Sequence, residues 1–440
     1  MRWRLLLLPL LAATLQPVSA GAQQSEGAEV VLYPMREGDS LYELAQQHFR
    51  RIEDYAIVQR LNRIGNPRRI AIGRSIRIPK HLLRYEPVTA HIISFRGAVQ
   101  LRRDGRLLTV SPGMAVHEGD ELATAANSFV SMGLPDQSAV ALPSQSRVTV
   151  RRLRKLSLTG AVERLFAVEQ GRAKAIVSPL NEADEFRIST PISVSAVRGT
   201  EFRIRYDAAG KQAATETLSG EVTMASSGEV SRDLPAGFGA VAAGTELSAP
   251  VALLPPPRLT NPGETQDQRE LAFELEPLPG AKAYHVQIAQ DAGFLDVATE
   301  TTVQTTEVRL PPIEDGTWFV RVAAIDGHGL EGMYETYGFQ RRLNDISGTA
   351  TETRTGDYRQ YLFRWRVMGD GERQFRFQLS RQEDGSDPVV DEVGLTEQSF
   401  AVTDLPPGTY YWRVMALQFV DGEVHENWSP TERLTISPDQ

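Results

Sequence analysis

Cysteine does not occur anywhere in the 440 residues. Its absence excludes disulfides, thiolate metal sites, iron–sulfur clusters, a cysteine nucleophile and anchoring through a lipidated cysteine. Histidine is scarce. The seven (His48, His81, His91, His117, His285, His328 and His425) are scattered, and no two stand one helical turn apart, the spacing that a helical zinc pair needs. No metal and no cofactor is therefore expected. Positive charge is also outnumbered, with 47 Lys and Arg against 56 Asp and Glu and a net charge of −9. A nucleic-acid binder ordinarily shows the opposite balance, so no nucleic-acid partner is expected. Past the first residues no uncharged apolar run approaches the ~18 residues of a membrane-crossing helix.

What is present begins with an address label. Met1-Arg2-Trp3-Arg4 leads into Leu5–Leu8, Pro9, Leu10, Leu11, Ala12 and Ala13, followed by Val18-Ser19-Ala20. A basic start, a short apolar run and small residues read as a secretory signal peptide over residues 1–22, cleaved after Ala20 or Ala22. The expected location is the periplasm or the outside of the cell, with no membrane span once the leader is removed.

At roughly 100–200 residues per domain the remainder should hold several domains. Residues 30–82 read as strand, helix, helix, strand. Leu41, Leu44, Ala45, Phe49 and Ile52 recur at helical spacing, Tyr55, Val58 and Leu61 suggest a second helix, and Ile70, Ile72, Ile76 and Ile78 alternate around Gly73 up to Pro79. From 87 to 252 the chain breaks into short alternating runs punctuated by glycine, the pattern of a sandwich, barrel or β-solenoid. Pro255-Pro256-Pro257 marks a stiff linker. Beyond it Gly316-Thr317-Trp318-Phe319-Val320-Arg321-Val322 recurs as Gly408-Thr409-Tyr410-Tyr411-Trp412-Arg413-Val414, each after a Pro-Pro turn. That period suits two tandem β-sandwiches, at 258–343 and 344–437. The expected fold class is thus multidomain and mainly β. Charge is divided unevenly: residues 30–80 carry ten basic and five acidic residues, whereas 258–440 carry sixteen and thirty-one. The basic N-terminal module favours an anionic polymer, and the acidic tail aids solubility.

The sharpest motif is Gly38-Asp39-Ser40-Leu41-Tyr42. With Tyr33-Pro34-Met35, Leu44-Ala45, Asn62 and Ile72-Gly73-Arg74-Ser75-Ile76-Arg77-Ile78-Pro79, the segment resembles a LysM domain, the βααβ module that binds N-acetylglucosamine glycans. Arg74 stands where that family usually has Gln. The resemblance implies a shallow groove formed by Gly38, Asp39, Ser40 and Leu41 together with Arg63, Ile64, Gly65 and Asn66, and it implies peptidoglycan as the partner. Asp39 or Ser40 suits the cap of the first helix, and the side chains of Gly38, Asp39 and Leu41 read mainly as folding residues, leaving recognition to backbone and loop shape.

The same letters spell the nucleophile motif of GDSL esterases. A serine nucleophile needs a His base and an orienting carboxylate, but Asp326 with His328 and Asp421 with His425 are wrongly spaced for that family and lie in the sandwich repeats. No catalytic residue is expected.

Val116-His117-Glu118-Gly119-Asp120-Glu121-Leu122, Thr190-Pro191 through Val197-Arg198-Gly199-Thr200-Glu201-Phe202, and Leu218–Thr223 resemble the FecR domain, named for a periplasmic iron-signalling regulator. Arg198 reads as a structural arginine tying neighbouring strands, and Arg151–Lys155 as an exposed loop or strand edge. The sandwiches resemble fibronectin type III domains, with Trp318, Trp365 and Trp412 in their cores and Trp428 partly exposed. The expectation is a non-enzymatic envelope protein that docks on peptidoglycan and presents β-domains to unidentified envelope proteins. The alternative is a FecR-type signalling component linked to an outer-membrane receptor.

Overall fold

Alternating apolar residues turn most of the chain into β-structure, as the pattern predicts. The computed structural model describes residues 29–228, 230–355, 358–420 and 422–437. The expected leader, with its cleavage after Ala20 or Ala22, lies outside them, as does Asp421. Contacts divide the chain into two units. The first comprises the described residues up to Glu86 together with Lys155–Ala161, and the second comprises the rest.

In the first unit β1 (Val30–Pro34), α1 (Leu41–His48), α2 (Tyr55–Leu61) and β2 (Ser75–Pro79) follow the expected βααβ order, with a short 3-10 turn over Ile52–Asp54. The strands pair antiparallel, Tyr33 opposite Ile76 and Val31 opposite Ile78. Leu41, Leu44, Ala45, Phe49, Val58 and Ile76 form its core. Two expectations are corrected. The alternation over Ile70–Ile78 is not one strand: a turn closed by Arg74 N to Ala71 O precedes it, and Ile72 is left 70% exposed. The expected 87–252 segment also donates Lys155–Ala161 to this unit, where Leu156 lies in the core and Leu158 packs against it. His48 Nδ1 meets Ser157 Oγ at 2.8 Å.

The second unit starts with strands from Ala90 to Ala252 that close into a barrel. Its longest strand, β3 (Val162–Ile176), runs parallel to Glu185–Ser189 over 163–167 and then pairs antiparallel with β4 (Glu201–Asp207) from Gly171 onward. The change of partner occurs at Gly171, at φ +79, where a Cβ would lie 2.4 Å from Gln145 O, so only glycine fits. Phe166, Phe186 and Phe202 fill the interior, with successive ring centroids 5.5 and 6.5 Å apart.

Beyond the barrel come two sandwiches. In the first, β5 (Ala283–Ala289), β6 (Val297–Val303), β7 (Gly316–Ile325) and β8 (Glu331–Arg341) form a sheet in the order β6-β5-β7-β8, packed on the pair Leu271–Glu274 and Glu307–Leu310. The second repeats the plan around Glu372–Ser380 and Gly408–Val420. The repeated motif has the same use twice: Trp318 Nε1 donates to Glu314 O at 3.0 Å and Tyr410 O–H donates to Pro406 O at 2.8 Å, tying each strand to its preceding turn. Trp318, Trp365 and Trp412 are buried. Trp428 is half-exposed beneath the Arg413 guanidinium.

What joins barrel to first sandwich is ionic as well as apolar. Phe129 of the barrel meets Phe294 and Val297, and Ala214 and Leu218 meet Leu330. Among these patches sits Glu331. Its carboxylate accepts from the Arg203 guanidinium and lies 3.5 Å from Arg172 Nη1 and 3.1 Å from His285 Nδ1. The other His285 nitrogen, Nε2, is 3.1 Å from Glu300. Lys174 pairs with Glu201 at 2.8 Å, and Glu201 also accepts from the Tyr334 hydroxyl. Buried Arg321 lies between the Phe294 and Tyr334 rings and donates to Gln287 Oε1 at 2.6 Å. Each buried charge is costly alone and tolerable only with its partners.

A neutral imidazole has one N–H, so an imidazole between two carboxylates is best satisfied as the cation. Burial opposes that charge, but the Glu331 charge and the hydrogen bonds to Glu300 and Glu331 outweigh it and raise the His285 pKa above its ordinary value. Stability from a raised base is fully present below the unfolded pKa of about 6.5 and lost as pH rises through the folded one. His285→Gln removes this titration. The melting temperature of the native chain should exceed that of His285→Gln most at about pH 6, and the gap should narrow as pH rises toward 8. Lys174, which burial lowers to about 8, is present in both chains, so its titration moves both melting temperatures alike and leaves the gap to report His285. A gap that is constant from pH 6 to 8 would contradict the ionic assignment.

Candidate functional site

The loop between β1 and α1 is built by its own side chains. Gly38 takes φ +87, the left-handed turn that glycine adopts without strain. Asp39 Oδ2 accepts from Arg36 N at 2.7 Å and from the Tyr33 hydroxyl at 2.9 Å. Burial, followed by this bond to Asp39, raises the Tyr33 pKa. Ser40 is the helix cap: its Oγ accepts from Glu43 N at 3.1 Å and donates to Glu43 Oε2 at 3.0 Å, the hydroxyl half of a capping box. Leu41 is fully buried. The Ser40 hydroxyl, which the esterase motif would use as a nucleophile, is committed to the cap.

Gly38, Asp39, Ser40 and Leu41 therefore shape the loop through bonds and packing within the fold. One ring stands outside. Tyr42 is 55% exposed, edge-on to Tyr55 at 6.3 Å between centroids. The sequence motif contained Tyr42 without giving it a role; an aromatic in the first turn of the helix, beside buried Leu41, was the available signal.

The second loop starts at Asn62. Its side-chain amide donates to Val58 O and Arg77 O, and its Oδ1 accepts from Arg77 N, all at 2.8 Å. Arg74 Nη2 donates to Asn62 O at 3.0 Å, and Arg74 O accepts from Met35 N at 3.0 Å. The segment Gly73–Arg77 thereby ties both loops together, and arginine in place of the family's usual glutamine supplies one of the ties. Arg63, Gly65 and Asn66 are exposed. Ile64 is a core residue and is corrected as a direct contact. Asn66 Oδ1 accepts from Arg68 N and Asn66 O from Arg69 N, so the loop carries its own turn. On the other side of this unit burial, then the Arg84 charge, lowers the His48 pKa.

Two readings in the barrel change. Arg198 is exposed and has no ion pair among the described residues, so it does not tie strands. Its neighbours do that: Gly199, at φ +80, passes 3.0 Å from Pro179 Cα for a built Cβ, and Thr200 exchanges backbone bonds with Val177. Arg198 instead shares a groove of about 490 Å³ with Glu182, Glu221 and Asp233. The basic run Arg151–Lys155 is mostly strand interior. Arg152 and Arg154 lie 3.7 and 2.8 Å from buried Glu163, and Arg151 lies 3.2 Å from Glu169. The ion cluster around Glu331 was not predicted at all. Among the described residues no group of three or more His, Asp or Glu could hold a metal ion.

No curated protein matches. A putative anti-sigma factor from Parabacteroides distasonis is similar at 19% identity and a TM-score of 0.26, over 30% of this chain; the chain spans 59% of that protein's length. Two fibronectin type III domains of chicken tenascin match at 12% identity and a TM-score of 0.20, over 42% of this chain and 99% of theirs. Fibronectin(III)-like modules of Clostridium thermocellum CbhA match at 10% identity and 0.19, over 41% and 94%. The family model described as FecR protein matches residues 120–223, so the closed barrel carries a FecR domain.

Proposed function

We propose that this is a non-enzymatic envelope protein whose N-terminal unit docks on the N-acetylglucosamine glycan of peptidoglycan, while the FecR domain and the sandwiches meet protein partners outside the cytoplasm. The observation that carries the reading is the pair of loops tied through Gly73–Arg77. In them Asp39, Ser40 and Asn62 are consumed by the fold, leaving backbone groups, the Tyr42 ring and exposed Gly65 and Asn66 to face a ligand. Shallow glycan sites need this combination, since sugar rings offer hydroxyls to backbone groups and C–H faces to an aromatic ring. Among the described residues no helix is long and apolar enough to cross a membrane.

A second reading has its own support. The FecR match and the unpaired Arg198 in an acidic groove favour a FecR-type signalling component. Its guanidinium suits bidentate pairing with a partner carboxylate. With a photo-crosslinker at position 198 in living cells, that reading expects an outer-membrane receptor to be trapped. Crosslinks to glycan-bound chain alone would count against it.

The docking reading is tested at Gly65. A Cβ there meets nothing within 4 Å and its φ is not left-handed, so Gly65→Trp should fold normally while filling the groove. Full-length native chain should co-sediment with purified peptidoglycan, and Gly65→Trp should lose at least about tenfold in affinity, roughly 1.4 kcal/mol. Equal sedimentation of both proteins, or of neither, contradicts the assigned groove.

A further inference from the structure

The helix that ends at Leu61 closes with two bonds, Ile64 N to Gln59 O at 3.0 Å and Arg63 N to Arg60 O at 3.1 Å. This double closure needs a left-handed residue at its centre, ordinarily glycine. Here Arg63 occupies it at φ +52. A side chain is strained there where glycine is not, so the fold alone would favour glycine. The guanidinium is exposed and has no carboxylate within ion-pair distance among the described residues.

The same loop holds three more such arginines. Arg68 and Arg69 flank the Asn66 turn, also exposed and also without a carboxylate. Arg74 reaches back to Asn62 O, which brings its guanidinium to the start of the loop beside Arg63. In the barrel, by contrast, several arginines are matched: Arg152 and Arg154 share Glu163, and Arg203 has Glu331. Four unmatched guanidiniums around Gly65 and Asn66, one of them in a position that strains the backbone, mark a surface kept for an external anion.

We infer that the Arg63–Arg74 loop selects glycan strands bearing free carboxylates, such as peptide stems of peptidoglycan, over neutral N-acetylglucosamine polymers. The inference rests on the glycan-docking reading and specifies the ligand of that site. Guanidinium pairs bidentately with carboxylate, and exposed pairs of this kind weaken with salt.

The test uses the full chain and four surfaces: peptidoglycan with intact stems, the same strands with their carboxyl groups converted to neutral amides, insoluble chitin, and vesicles containing anionic phospholipid. At low salt the native chain should bind stem-bearing strands about tenfold tighter than amidated strands or chitin. The preference should vanish near 1 M salt, where the Debye length is about 3 Å. Arg63→Gly should keep or raise the melting temperature, because it relieves the left-handed strain, yet weaken binding to stem-bearing strands about two- to fivefold. Arg63→Gly with Arg69→Gln should abolish the preference.

Equal binding to stem-bearing and amidated strands at low salt, untouched by Arg63→Gly, would overturn the inference and leave glycan docking standing. Failure to bind any glycan would overturn the docking reading itself. Tighter binding to the vesicles than to peptidoglycan would overturn the inference in favour of a lipid surface. A fall in melting temperature for Arg63→Gly would show that the arginine serves the fold, and would overturn it as well.

Discussion

One carboxylate, Glu331, decides how the larger unit is put together. It leaves the sandwich at the start of β8 and meets Arg172 and Arg203 from the barrel and His285 from its own sheet. Apolar contacts such as Phe129 with Phe294 supply adhesion but little direction. The ion cluster supplies direction, because removing Glu331 takes a partner at once from Arg172, Arg203 and His285, and breaking buried pairs of this kind typically costs about 3–5 kcal/mol. Barrel and first sandwich are therefore one block. The barrel strand Glu201–Asp207, whose arginines would otherwise be an exposed basic stripe, is spent on holding the sandwich. That face of the barrel is therefore covered, whereas the Arg198 groove is open.

The smaller unit follows a different economy. Its most motif-like side chains point into the fold: Asp39 holds its own turn, Ser40 caps α1, Asn62 clips the second loop to β2. What remains for recognition is what the fold does not consume. That comprises loop backbone, the exposed Tyr42 ring and a set of arginines without a carboxylate partner. On the docking reading proposed above, such a surface would bind through many small contacts, suited to a long repetitive polymer better than to a small ligand enclosed in a pocket.

Much of this was legible in the sequence because it is local or periodic. Helical spacing gave α1 and α2, alternation gave the barrel strands, and the Gly-Thr-aromatic repeat gave two sandwiches with their tryptophans inside. The misses share a cause. Ile72 has the right residue type for a strand, but the Gly73 turn takes the backbone elsewhere. Leu156 and Leu158 look like a strand end of the barrel yet complete another core. Ile64 reads as loop and is buried by the helix closure before it. The Glu331 cluster gathers residues 172, 203, 285 and 331, spread along the chain, and each alone is an ordinary outward-facing charge on a strand. Only the three-dimensional neighbourhood turns outward into buried.

The account rests on the two-loop surface of the first unit being a glycan site. Titration of the full chain with a soluble N-acetylglucosamine-containing muropeptide, followed through backbone amide resonances, addresses that surface residue by residue. The account predicts that Gly38, Gly65 and Asn66 shift together and saturably while amides of the barrel and sandwiches stay fixed. Saturable shifts confined to the barrel or sandwiches, or none at all, would contradict it.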